Sequence, residues 1–399
     1  MSQVRVDGDG LKARRLRGMP IAALACSAAL LFAVGCGGDD DSGSAGGNSG
    51  DKTAADGGGN DLLAQAAEDA AKAKQAESSF EPWNPGPAPK PQAGTEVGAL
   101  TCLQSVPACS RIADGYKAAI DAIGWSGRVL DGTADQSKQR SAMQSFLTAD
   151  VDGILLAAID PHGIDDLLDR AKQRKIEWNM AAGIDPQPFG GVGESVDVTG
   201  GLKEAGRQLG AWVADDSKGE AKILVFNSSD NPGLAVREAG FREYLDQFEG
   251  ISYVGDTINV PFAQVGPPLQ AQMQSLLQRY PAGEIDYVFT PFDGFATFVV
   301  NAVTSAGRDD VKVLGFDGSP QNVDFIRNGE GQVATQATPW EWCTWLAVDN
   351  LNRAMQGEDV FDGGCPSQVL DKSNVPPKGE LWMGNADYET EFRKLWGVG

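Results

Sequence analysis

From residue 96 onward the apolar positions switch repeatedly between two periods. Short runs of four to six apolar residues, of the kind that form buried strands, alternate with longer stretches spaced at three and four, the mark of a helix face. Strands are expected at 97–100, 128–130, 153–159, 177–181 and 191–196. Helices are expected at 107–123, after Asp135, around Ile164, Leu167, Leu168 and Ala171, and over 199–216. Asp135 suits a helix N-cap, and Met143, Phe146 and Leu147 behind it read as core. A second series repeats the pattern: strands at 222–226, 251–254, 287–289, 311–314 and 332–336, with helices over 232–248, around Leu269, Met273, Leu276 and Leu277, and over 340–355. Strand–helix alternation specifies parallel sheets flanked by helices. Two series imply an α/β protein of two similar lobes with a central cleft.

The segment before residue 96 reads differently. Residues 12–17 are basic, 19–34 are apolar but short for a membrane span, and Ala33-Val34-Gly35-Cys36 ends the run. Small residues followed directly by cysteine resemble the lipobox of bacterial lipoproteins. On that reading residues 1–35 are a signal peptide and Cys36 is lipidated; the alternative is ordinary secretion with Cys36 a bystander. Residues 37–60 are rich in Gly, Asp and Ser and cannot bury a core. Residues 62–76 are Ala-rich, expected as a loose solvated helix, and 81–91 are Pro-rich, expected as an extended spacer. Together 36–94 are expected to form a tether holding a globular domain off the outer face of a membrane.

Composition narrows the partners. The 399 residues carry a net charge of −22, and 42% are apolar. Losing residues 1–35 removes five basic and two acidic residues and leaves −25. Such an acidic chain is not a nucleic-acid binder. Beyond Cys26 and Cys36, four cysteines remain as two local pairs, Cys102 with Cys109 and Cys343 with Cys365. An even count in an exported chain suggests two disulfides, the alternative being four free buried thiols. His162 is the only histidine and no cysteine pair has metal-site spacing, so neither metal nor cofactor is expected.

The chemistry concentrates in two strand–turn units. Residues 311–320 read VKVLGFDGSP and 287–294 read YVFTPFDG. Each puts an aspartate, Asp317 or Asp293, beside an aromatic at the carboxyl end of a strand, where open α/β sheets bind ligands. Asp293 is equally suited to N-cap the next helix. A glycosidase could use two such carboxylates, but nothing in the sequence marks one with a raised pKa, and no catalytic residue is assigned. The glycine run at 190–193 is not a dinucleotide fingerprint.

Residues 96–375 resemble the periplasmic sugar-binding proteins of the ribose- and galactose-binding type, the solute receptors of ABC importers, whose fold is shared by the ligand-binding core of LacI-type repressors. The stretches that carry the resemblance are 107–123 (PACSRIADGYKAAIDAI), 131–161, 235–245 (AVREAGFREYL), 313–320 (VLGFDGSP) and 332–339 (QVATQATP). The resemblance implies a type I periplasmic binding protein, its lobes hinged near 196–200, 336–339 and after Gly364. Lobe boundaries follow: 95–197 plus 339–364, and 198–338 plus 365–399. It places Asp317 at a hydroxyl-binding aspartate, Arg237 at a cleft arginine and Phe262 near a ring-stacking position. Phe292 replaces a usual polar residue beside Asp293. In the loop after the first strand Gln104 stands where the family has Asn and paired aromatics, and Ala182-Gly183 stand in place of Asp-Arg. Trp340 and Trp342 are candidate stacking residues and Thr338, in the crossing segment, completes the ligand set. The implied ligand is a sugar or polyol; the implied partners are permease subunits, with a sensor or chemoreceptor as the alternative reader. A monomer, lipid-anchored outside the cytoplasmic membrane, is expected.

Overall fold

The computed structural model describes residues 57–75, 79–193 and 201–399. The signal peptide, Cys36 and the crossing near 196–200 therefore lie outside the described residues. The described residues all belong to one unit, 53–399.

The first helix, α1 (Gly57–Ala73), precedes a four-stranded parallel sheet. That sheet runs β2-β1-β3-β4, built from β1 (Glu96–Thr101), α2 (Pro107–Ile123), β2 (Ser126–Asp131), α3 (Gln136–Ala149), β3 (Gly153–Ala157), α4 (Asp165–Gln173) and β4 (Glu177–Ala181). Local chemistry sets these boundaries. Pro107 occupies the first turn of α2, where its missing N–H costs nothing. Gly124 ends that helix at φ 83°, a left-handed conformation that suits glycine. The Asp135 carboxylate accepts hydrogen bonds from the Ser137 and Lys138 amides and caps α3. The central strand β3 is buried at all five positions, as a parallel strand covered on both faces must be.

The second sheet follows the order β11-β10-β9-β8-β5-β6, with β7 also pairing β5. Its elements in chain order are α5 (Gly201–Asp216), β5 (Glu220–Asn227), α6 (Pro232–Leu245), β6 (Gly250–Tyr253), β7 (Ile258–Asn259), α7 (Pro267–Arg279), β8 (Tyr287–Phe289), α8 (Asp293–Ser305), β9 (Lys312–Asp317), α9 (Pro320–Asn328), β10 (Gln332–Ala337), α10 (Trp340–Met355), β11 (Gln368–Asp371) and α11 (Tyr388–Trp396). All pairs are parallel except β10 with β11. Helix α10 crosses back and packs on β3, β4 and α2, so Trp340, Trp342 and Trp345 belong to the first lobe's core. Both disulfides, Cys102–Cys109 and Cys343–Cys365, are formed.

Four expectations need correction. The described residues between 57 and 94 are not a free tether. The small side chains of Ala66, Ala70 and Ala73 let α1 lie close on α5 of the second lobe, and all three are buried. The Pro-rich segment is pinned to the first lobe, where Phe80 stacks on Trp342 and the Arg353 guanidinium donates to the carbonyls of Gly86 and Pro87. The tail beyond Cys365 does not stay with the second lobe. Strand β11 joins that sheet, but Tyr388, Phe392 and Trp396 of α11 return to the first lobe's aromatic cluster. Finally, residues 191–193 of the strand expected at 191–196 are irregular, and the rest lie outside the described residues.

Candidate functional site

The strands of both sheets point their carboxyl ends at one space. Cys102 and Leu103 follow β1, Ala158 follows β3, and Ala182 follows β4. From the other side come Asn231 after β5, Phe292 after β8, and Asp317 at the end of β9. The faces of α2 (Ala108, Cys109, Ile112), α5 (Leu202) and α6 (Leu234, Arg237), together with Phe262, Val265 and Trp340, complete a cleft between the lobes. Within it about 50 Å³ is open to the centres of water-sized spheres, and the space is partly open to solvent. Three non-glycine residues on its wall, Ala158, Ala182 and Asp317, have positive φ (53°, 56° and 98°). Such backbone costs energy and persists where its surroundings over-determine it, commonly at ligand sites.

Charge enters the cleft as a paired set. Arg237, 4% exposed, donates through Nη2 to Asp317 Oδ1 at 3.3 Å and through Nη1 to the Pro291 carbonyl at 3.0 Å. Its guanidinium lies over the Phe316 ring, 4.9 Å from the centroid. Behind Asp317, Arg111 of α2 donates to the Asp317 carbonyl at 3.1 Å and forks onto Glu341 at 2.8 and 2.7 Å. Burial pushes the Asp317 carboxyl above its ordinary value, while Arg237 and Arg111 pull it back. The Trp340 indole favours the charged carboxylate but lies outside bonding geometry, so its Nε1 is a buried donor without a partner. The lobes also meet at Asn231, whose Oδ1 caps α6 through the Gly233 amide and whose Nδ2 reaches the Ala182 carbonyl at 3.5 Å.

Of the nine ligand residues expected from sequence, Asp317, Arg237, Phe292, Phe262 and Trp340 line this cleft. The other four lie elsewhere. Asp293 is fully buried at the head of α8, where its oxygens accept from the Ser319 amide, Gln332 Nε2 and Thr335 Oγ1. A Cβ on Gly315 would collide with Asp293 Oδ1, so the glycine of the GFDG turn makes room for this carboxylate. Burial, with Asp317 adding to it, pushes Asp293 up to about 8. Gln104 folds back to donate to Thr101 Oγ1. Trp342 is sandwiched between Phe80 and Tyr388 in the core. Thr338 is buried, and its carbonyl accepts from Arg111 and from the Trp340 amide.

Sequence reasoning passed over Asn231 and the Cys102–Cys109 disulfide as parts of the cleft wall, and Arg111 as the support behind Asp317. Arg111 carried a signal: it sits on the face of α2 that also holds Ala108, Ile112 and Tyr116, where a charge needs a partner. Among the described residues no cluster of His, Cys, Asp and Glu suits a metal ion, and no helix is long and apolar enough to cross a membrane.

Two α/β lobes with strand ends and helix faces converging on one interlobe cleft define a hinged solute-binding protein. The chain belongs to the periplasmic binding protein domain family, whose model matches residues 103–359. A ribose import binding protein of Salmonella typhimurium is 24% identical over 255 residues, covering 62% of this chain and 80% of its own. A D-apiose import binding protein of Actinobacillus succinogenes is 28% identical over 234 residues, covering 57% and 72%. Among solved structures, an ABC transporter solute binding protein of Agrobacterium vitis with bound allitol superposes with a TM-score of 0.64 at 18% identity, covering 71% of this chain and 97% of that one. One from Bacillus halodurans with bound myo-inositol gives 0.63 at 19%, with the same coverage. The resemblance drawn from the sequence thus holds for family and fold.

Proposed function

We propose that this chain is the solute-binding component of an ABC importer, anchored outside the cytoplasmic membrane through lipidated Cys36, that captures a small hydroxylated solute in the interlobe cleft and delivers it to a permease. The observation that carries the reading is the Arg237–Asp317 pair, more than nine-tenths buried, on the wall of a cleft made by the strand ends of both lobes. A carboxylate and a guanidinium together accept from and donate to a hydroxyl, and both bonds are charge-assisted. Relatives named for ribose and D-apiose import support a solute of this class. Asp293, one half of the carboxylate pair that a glycosidase would need, is engaged by three donors away from the cleft wall, which favours binding over hydrolysis.

Thermal-shift screening of the mature chain against sugars, polyols and other small alcohols tests the reading. A ligand at 100 times its Kd adds roughly 2.7 kcal/mol of stability. Asp317→Asn should remove that shift while the unliganded protein still folds; an undiminished shift would take Asp317 out of the site. The lipobox at 33–36 supports the anchor. Cys36→Ser should move the protein from the membrane fraction to the soluble export fraction, and unchanged membrane retention would count against lipidation.

A further inference from the structure

The cleft is far less polar than a polyol site requires. Its walls are made by Leu103, Val106, Ile112, Leu234, Val265 and Phe262, with further aromatic and small apolar side chains between them. Among the described residues the polar side chains on the wall are Asn231, Arg237 and Asp317. Most of their capacity is already spent. Asn231 Oδ1 is taken by the Gly233 amide, and two Arg237 nitrogens are taken by Pro291 and Asp317. What remains is Arg237 Nε, a buried donor without a partner, the second hydrogens on its two Nη atoms, and the Asp317 oxygen that Arg237 does not hold, with the Trp340 indole close to that carboxylate. Nearby, Trp340 Nε1 is a second buried donor without a partner.

A carboxylate oxygen beside the unused guanidinium N–H groups and an indole N–H, all in one corner, suits one hydroxyl or two adjacent ones. The charges in the corner also balance, Arg237 against Asp317 and Arg111 against Glu341, so a neutral head group fits better than an ion. From this, and resting on the cleft being the ligand site, we infer that the solute has a mainly apolar body carrying one hydroxyl or a vicinal pair, rather than hydroxyls around its whole periphery. The body lies against the aliphatic and aromatic wall, and the hydroxyl sits at the Arg237–Asp317 corner. A fully hydroxylated ring would bury most of its hydroxyls against carbon, and each one left unpartnered weakens binding by about tenfold or more.

A series on one carbon ring tests this: cyclohexanol, trans-cyclohexane-1,2-diol and myo-inositol, with D-ribose alongside, titrated calorimetrically into the mature chain. The diol should bind tightest, and myo-inositol and D-ribose at least about 100-fold more weakly. Leu234→Asn, which adds a donor and an acceptor to the wall, should narrow that gap about tenfold or more, with near-UV circular dichroism confirming a folded variant. If myo-inositol or D-ribose binds more tightly than the diol, and Asp317→Asn abolishes that binding, the cleft remains the site and the apolar-bodied ligand is wrong. If neither the ring series nor D-ribose binds, the inference falls together with the assignment of the cleft.

Discussion

At position 293 one carboxylate answers for a local pH dependence. Asp293 is enclosed, and burial raises it to about 8 from an ordinary value near 3.8. A folded-state value above the unfolded one means the native protein keeps a proton that the unfolded chain releases. Stability from this group is therefore complete below about pH 4 and is lost as pH rises through about 8. Asp317 shifts in the same direction, so the two slopes add. Chemical denaturation across pH 4–9 should show the unfolding free energy falling toward alkaline pH, and Asp293→Asn, which cannot ionise, should flatten the slope. A rising slope, or an identical one in the variant, would mean that the three donors around Asp293 outweigh its burial. The sequence favoured Asp317 and left Asp293 divided between ligand contact and helix N-cap, although both follow a short apolar strand and precede glycine. It could not say which faces the cleft. That depends on the paths of neighbouring turns: Ser319, Gln332 and Thr335 close over one carboxylate, and Arg237 reaches the other.

Among the elements, the segment ahead of the first sheet departs most from its sequence pattern. An alanine-rich helix has little apolar area of its own, so by composition α1 reads as solvated. Its small residues instead permit close approach to α5, reinforced by a hydrogen bond from Tyr244 to Asp69 and by the Lys74–Asp371 ion pair. Further on, Phe80 packs between Trp342 and the edge of Phe392. The N-terminal extension thus touches the second lobe through α1 and the first lobe through Phe80 and the Pro-rich stretch. Phe80→Ala should cost about 3 kcal/mol, the low end for removing a buried phenylalanine, read from the shift in urea midpoint at constant slope. A loss below about 0.5 kcal/mol would mean that the segment is not held against the lobe. By contrast, α2, α3, β3 and α10 were legible almost to the residue, since their caps and apolar periods are local.

For the whole molecule, one disulfide fixes the point where the chain leaves the first lobe for the second sheet. Cys343 in α10 and Cys365 are both buried in the first lobe's core, and Cys365 stands three residues before β11 of the second sheet, so this bridge pins the start of a crossing. Closing a loop of 22 residues stabilises by about 3 kcal/mol in the chain-entropy account. Reduction without denaturant should lower the melting temperature accordingly. Thiol titration of the unfolded, unreduced mature chain should find no free thiol among Cys102, Cys109, Cys343 and Cys365, and any would break the pairing. The other bridge, Cys102–Cys109, lies on the cleft wall, so its reduction should also weaken ligand binding.

The sequence alone determined most of the order of strands and helices up to α10, the two-lobed class, the two local cysteine pairs as candidates for bridging, and the placing of an aspartate at the end of β9. These rest on periodicity, caps and spacing, which act over a few residues or within one repeating unit. Tertiary structure decided which side chains share the cleft, that Arg111 and Asn231 join lobe to lobe, that Asp293 is buried support, and that most of the wall is carbon. Those outcomes depend on how separate turns converge, and on what burial does to a charge once no water remains to solvate it.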